Sequence, residues 1–181
     1  MAANAQDDFK DLLATPELPD LGPGPRPGVK AEKHLDRILT DRFRSANLSP
    51  AQQNLIRALI LLWHDHLDVA HRIAQDIDNV DGALVHGIMH RREPDYGNAK
   101  YWFRRVGNHE CFPNIASCVA ALPDSATLQL LHKGNWDPFA FVDACEHAAR
   151  KGTEPQVRLL RQIQQIETDQ LLEHFLRNYT S

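Results

Sequence analysis

The chain has 181 residues, 43 % of them hydrophobic and 24 % charged, which is apolar material enough for one packed core and predicts a single domain. With 20 Lys and Arg against 24 Asp and Glu, the formal charge is -4, so there is no basic field to recruit nucleic acid or an anionic membrane surface. No stretch approaches the roughly 20 apolar residues of a membrane-spanning helix, and the start MAANAQDDFKDLL has neither the basic nor the apolar segment of a secretion signal.

The expectation is therefore a cytoplasmic protein with a small partner. Its cysteines, Cys111, Cys118 and Cys145, are odd in number and widely spaced, against a disulfide framework or a CxxC clip. They should be reduced, with Cys118 and Cys145 packed as small apolar side chains.

Residues 1–28 stand apart. TPELPDLGPGPRPG holds five prolines and three glycines, too many for a helix or a central strand. This predicts an extended or disordered N-terminal arm ahead of one domain at 29–181. If the arm is laid over the surface, Phe9, Leu12, Leu13, Leu18 and Leu21 are its apolar anchors.

From Val29 the punctuation is helical. Leu35, Ile38, Leu39 and Phe43 mark an amphipathic helix ending near Ala46. Ser49, Pro50 and Gln52 read as an N-cap, a first-turn proline and a capping-box partner, opening a helix expected to reach about Asp78. Asp81 is read as the cap of a helix through Arg92, stopped before Pro94, and Asp95 as the cap of a helix to Val106 or Gly107. Pro113 opens a helix to Leu122, and Asp124 or Ser125 another to about Lys133, with Gly134 as its left-handed stop. Asp137 and Pro138 start a helix ended by Gly152. Thr153, Pro155 and Gln156 then precede a last helix with Val157, Leu160, Ile163, Ile166, Leu171, Leu172 and Phe175 as its apolar positions. No run alternates with period two, so the fold class is all-α: antiparallel helix hairpins in a bundle or short solenoid.

Gly87, Tyr96, Ala99, Phe103, Val106 and Pro113 resemble the small and large packing positions of a tetratricopeptide-type helix pair, although Ala83, His86 and His90 stand where that pattern has tryptophan, leucine and tyrosine. Arg57 to Ile77 resembles a degenerate preceding copy. The resemblance implies stacked antiparallel helix hairpins and a binding scaffold, with no catalysis attached. The stretch HRREPDYGNAKYWFRRVG is also similar to a segment of uncharacterised bacterial and fungal proteins, which implies no activity.

Between His64 and Arg105 lies the chemically richest block, with five of the ten histidines. Leu59, Leu62, Trp63, His66, Ala70, Ile73 and Ile77 share one helical stripe, making His66 a core histidine. His64, Asp68 and His71, spaced four and three apart, project from the neighbouring face, and His86 and His90 share a face of the next helix. If the two helices pair, these groups meet and suit a divalent zinc, iron or manganese ion. The same residues also suit a structural polar network, or metal-free acid and base work by a histidine oriented by Asp65 or Asp68. There is no HExxH motif and no paired ExxH arrangement.

Arg91, Arg92, Lys100, Arg104 and Arg105 outnumber the acids around them, and Tyr101 and Trp102 offer stacking surfaces. Guanidinium forks and aromatic rings suit a small anionic molecule or an acidic peptide. Ligand recognition in this cleft is the leading functional expectation, with a metal-dependent enzyme as the alternative. GxSxG, P-loop and GxGxxG patterns are absent. Cys111 neighbours His109 and Glu110, but adjacent side chains diverge on a regular element, which disfavours a nucleophile pair. His132, His147 and His174 are expected to be solvated.

Overall fold

Capping chemistry sets several of the helix starts in the computed structural model, which describes residues 9–177; residues 1–8 of the expected arm lie outside the described residues. Eight helices are formed among them: α1 (Glu32–Ser45), α2 (Pro50–Trp63), α3 (Leu67–Ala74), α4 (Val80–Arg92), α5 (Tyr96–Val106), α6 (Phe112–Ala120), α7 (Pro138–Lys151) and α8 (Glu154–Arg177). The Ser49 hydroxyl accepts from the Gln52 N–H while the Gln52 side chain accepts from the Ser49 N–H, closing the capping box of α2. Asp95 caps α5 through the Asn98 N–H, and Asp137 caps α7 through those of Phe139 and Ala140. No helix among the described residues is long and apolar enough to cross a membrane.

Three elements depart from expectation. The helix begun at Pro50 stops at Trp63 rather than near Asp78, because Asp65 takes a left-handed backbone at φ 66°. The His66 N–H then bonds the Leu61 carbonyl and the Asp65 N–H that of Leu62, the pairing of a Schellman stop. Asn79, not Asp81, caps α4, accepting from the Gly82 N–H and leaving the Asp81 carboxylate for other partners. The helix expected to reach Lys133 is only a 3-10 turn, Ser125–Leu128, bounded by left-handed Asp124 and Gln129. An antiparallel hairpin follows, β1 (Leu131–His132) and β2 (Asn135–Trp136), and positive φ at Lys133 and Gly134 makes its two-residue turn.

Phe9, Leu12, Leu13 and Leu21 of the arm are buried in the common core. A Pro- and Gly-rich segment cannot pair its own carbonyls, so side chains of the helices do it. Arg161 donates to Leu18 and Pro19, Gln164 to Pro19 and Asp20, and Arg92 to Gly22.

His64 belongs to this seam. Its side chain is fully buried, its Nδ1 accepts from the Lys30 N–H at 3.1 Å, and its Nε2 then carries the proton toward the Leu12 carbonyl at 2.8 Å. Burial drops its pKa to about 4. The unfolded chain therefore takes up this proton first, and the contribution to stability, full above the ordinary value near 6.5, is lost as pH falls toward about 4. At about 1.36 kcal/mol per pKa unit the loss approaches about 3 kcal/mol. Urea unfolding between pH 7 and pH 4 should show this slope flattened in His64→Gln, which keeps a donor for Leu12; an equal slope in both proteins would contradict the assignment.

Helix α4 is the buried centre: every residue from Asp81 to Arg92 is shielded from solvent. It packs most extensively on α5, where Gly87 makes room for Phe103, whose ring lies 3.1 Å from where a Cβ would stand. The opposite contacts come from α2 and α3. A central helix is normally apolar all round, yet α4 buries Asp81, His86, His90, Arg91 and Arg92, and each buried polar group needs a partner.

Candidate metal centre

Four of those five side chains have hydrogen-bonding partners. Arg91 makes a two-pronged pair with Glu167 of α8, at 3.0 and 2.6 Å. Arg92 donates to Asp65 at 2.7 Å and to the Leu62 and Gly22 carbonyls. Asp81 accepts from His109 and His174 at 2.9 and 3.1 Å. His90 lies 3.1 Å from Glu93, with the Asn98 amide 3.1 Å from its Nε2. His86 is different: it is 3 % exposed, and its Nδ1 has no hydrogen-bond partner among the described residues.

His86 instead sits among rings. His90 stacks at 4.9 Å between centroids, His71 of α3 approaches edge-on at 4.6 Å, and Trp102 of α5 covers it at 3.9 Å with the planes 13° apart. One ring nitrogen from each of His71, His86 and His90 lies within 4.8 Å of the other two. Nitrogens around a tetrahedral zinc with Zn–N bonds of 2.0–2.1 Å are about 3.3 Å apart, so small rotations complete the shell. Burial first, and then mutual repulsion with the other imidazoles, lowers His86 to about 4, and burial likewise lowers His90 against the pull of Glu93. Both are neutral near pH 7, as a nitrogen ligand must be. Glu93 on Nδ1 stands as the outer carboxylate that orients a ligating histidine, and an ion at Nε2 would take the place of the Asn98 amide there.

The expected five-residue metal set is thus brought together only in part. His71, His86 and His90 converge. His64 does not, because the stop at Asp65 removes it from the helix that carries His71 and turns it into the arm seam. Asp68 is exposed in the first turn of α3, and Asp65 is held by Arg26 and Arg92, so neither orients a histidine of this cluster. His66 is half-buried at the head of α3, with Nε2 on the Lys30 carbonyl.

Nor do the expected ligand residues form one cationic cleft. Arg91 and Arg92 point inward to Glu167 and Asp65, because i and i+1 on a helix fully surrounded by protein both find buried acids. Lys100 pairs with Asp143 of α7. Arg105 lies over Trp102 at 5.2 Å, near the Tyr101 hydroxyl and 3.7 Å from Asp78. Tyr101 and Arg104 are exposed, and Arg104 makes no ion pair among the described residues.

Other expectations were overturned by long-range contacts. His174 is not solvated: it meets Asp81 at 3.1 Å and His109 ring to ring at 4.9 Å. His109 and Cys111 do not diverge, since no regular element separates them, and Nδ1 is 2.9 Å from Sγ. Burial raises the Cys111 thiol far above its ordinary range, which keeps it protonated. Cys145 is buried as expected, but Cys118 is exposed. No local spacing marks the Asp81, His109 and His174 group, whose members are 28 and 93 positions from Asp81.

No protein-family model, curated protein or solved structure matches this chain.

Proposed function

We propose that the protein binds a divalent transition-metal ion through His71, His86 and His90 and uses it as a metal-dependent enzyme does, with a remaining coordination position for water or substrate. The observation that carries this reading is His86, an imidazole 3 % exposed with no hydrogen bond to Nδ1 and two other imidazoles beside it. A buried polar group without a partner costs about 1–3 kcal/mol, and protonation is disfavoured by the same neighbours. An ion offsets both costs. Three imidazole nitrogens suit zinc, iron or manganese, and three protein ligands with an open fourth place are the arrangement of catalytic zinc. Recognition of an anionic ligand is the secondary reading, resting now on exposed Arg104 and on Arg105 over Trp102, whose pairing with Asp78 is long at 3.7 Å, since Arg91, Arg92 and Lys100 are engaged.

The test is elemental analysis of untagged protein, with thermal melting after addition of zinc, iron(II) or manganese(II). Binding at a hundredfold excess over Kd raises stability by about 2.7 kcal/mol. The gain should be reduced in His86→Ala with His90→Ala, and also in His71→Asn, which alters only a half-exposed side chain. Protein without stoichiometric metal, whose melting temperature ignores all three ions, would remove the reading.

A further inference from the structure

We propose a second divalent-metal site, formed by Asp81, His109 and His174, which does not depend on the first. The three residues come from the first turn of α4, the loop between α5 and α6, and the last turns of α8. Two of the three donor spacings already match those of ligands around one ion: Nε2 of His109 is 2.9 Å and Nε2 of His174 3.1 Å from the same Asp81 oxygen. With metal–ligand bonds of 2.0–2.2 Å, neighbouring donors are about 2.9–3.4 Å apart. All three donors lie within 4.8 Å of one another, and their side chains are 13 %, 2 % and 12 % exposed for Asp81, His109 and His174.

Two imidazoles and one carboxylate make a donor set suited to iron(II), manganese or zinc, with positions left open. Asp81 is ionised whenever its two histidines face it, which hold its carboxyl well below the usual range despite burial. The outer contact of His109 is in place as well: Nδ1 is 2.9 Å from the Cys111 sulfur, which accepts Nδ1–H when Nε2 turns to an ion. The competing arrangement has the Cys111 N–H donating to Nδ1 at 3.3 Å, with Nε2–H on Asp81 and no ion.

A cavity adjoins the group on the His109 side. His109 also lines a cavity of about 460 Å³ whose walls include Phe112, Trp136 and Phe139, with Asn108 and Asn135 as polar groups. This space fits a small molecule with an apolar or aromatic body.

The experiment loads full-length untagged protein with cobalt(II) or zinc, removes free ion, and counts equivalents alongside the cobalt absorption spectrum. Wild type should hold two equivalents. Asp81→Asn and His174→Gln should each hold one, and His71→Asn should retain the equivalent that those two lose. An Asp81→Asn protein that is folded by circular dichroism and keeps wild-type stoichiometry and spectrum overturns this site and assigns the cluster to the hydrogen-bonded arrangement. If the bound ion responds to Asp81→Asn but not to His71→Asn, the second site stands and the first falls. Protein that binds neither ion overturns both.

Discussion

Glu167→Gln should cost about 3–5 kcal/mol of folding stability, because it leaves the Arg91 guanidinium in the core without a counter-charge. Arg91 is fully shielded and Glu167 is 1 % exposed, and the pair is two-pronged, so no water is available to replace the lost carboxylate. Arg91 has little else to turn to: it lies over the Phe141 ring at 4.2 Å, and its Nε already lacks a partner. Glu167 raises the Arg91 pKa in spite of complete burial, and although neutralising that acid removes this support, the guanidinium remains charged because it loses its proton only far above neutral pH. Domains of ordinary stability have about 5–15 kcal/mol in total, so urea unfolding should show a large fall in midpoint. The paired replacement Arg91→Met with Glu167→Leu should recover most of it, because both desolvation penalties disappear together. A single-variant loss below about 1 kcal/mol would mean that solvent reaches the pair.

How legible the fold was depended on whether a signal was local. Ser49 with Gln52, Asp95 and Asp137 each act on N–H groups two or three residues away, and the helices they open begin where they were expected. The stop at Asp65 was not legible, since the left-handed position is held by Asp rather than Gly and is favoured by Arg26 and Arg92, 39 and 27 positions away. The same distance effect hid the hairpin. A Lys-Gly pair reads equally as a helix stop or as a two-residue turn, and the strand that follows it packs on α6, an element earlier in the chain.

The candidate site divides along the same line. His86 and His90, one turn apart on one helix, were visible as a pair. His71 joined them because α3 and α4 pack together, but His64 was carried along by assuming one continuous helix across Asp65. The arginines were misplaced for a different reason. A run of basic residues shows excess charge locally, and its neutralising acids here are Glu167 and Asp143, 76 and 43 positions away from their partners.

Asp65→Asn should be as damaging as the Glu167 change, at about 3–5 kcal/mol, and should loosen the N-terminal arm as well. Asn tolerates the left-handed backbone as well as Asp does, so the substitution leaves the turn intact and removes only the charge. That charge serves two guanidinium groups: Arg26 and Arg92 reach the same oxygen at 2.6 and 2.7 Å, while the Arg26 N–H donates to the other at 2.9 Å. The arginines in turn bond the Trp63 and Leu62 carbonyls at the end of α2, the second of which also accepts from the Asp65 N–H. Arg26 and Arg92 also hold the arm at the Glu17 and Gly22 carbonyls, and Gly24 is close enough that a Cβ would sit 2.7 Å from the Asp65 carboxyl. Hydrogen bonds and charge from both arginines outweigh burial and depress the Asp65 pKa. The unfolded chain therefore binds the Asp65 proton first as the solution is acidified. The stabilisation is complete above the ordinary carboxylate value near 3.9 and is lost as pH falls through the lower folded value. Acid titration of urea stability should accordingly show a wild-type loss below about pH 4 that Asp65→Asn lacks, and limited proteolysis near residue 22 should be faster in the variant at neutral pH. An Asp65→Asn protein with wild-type stability and a protected arm would show that the two arginines hold the α2 end and the arm through carbonyls alone.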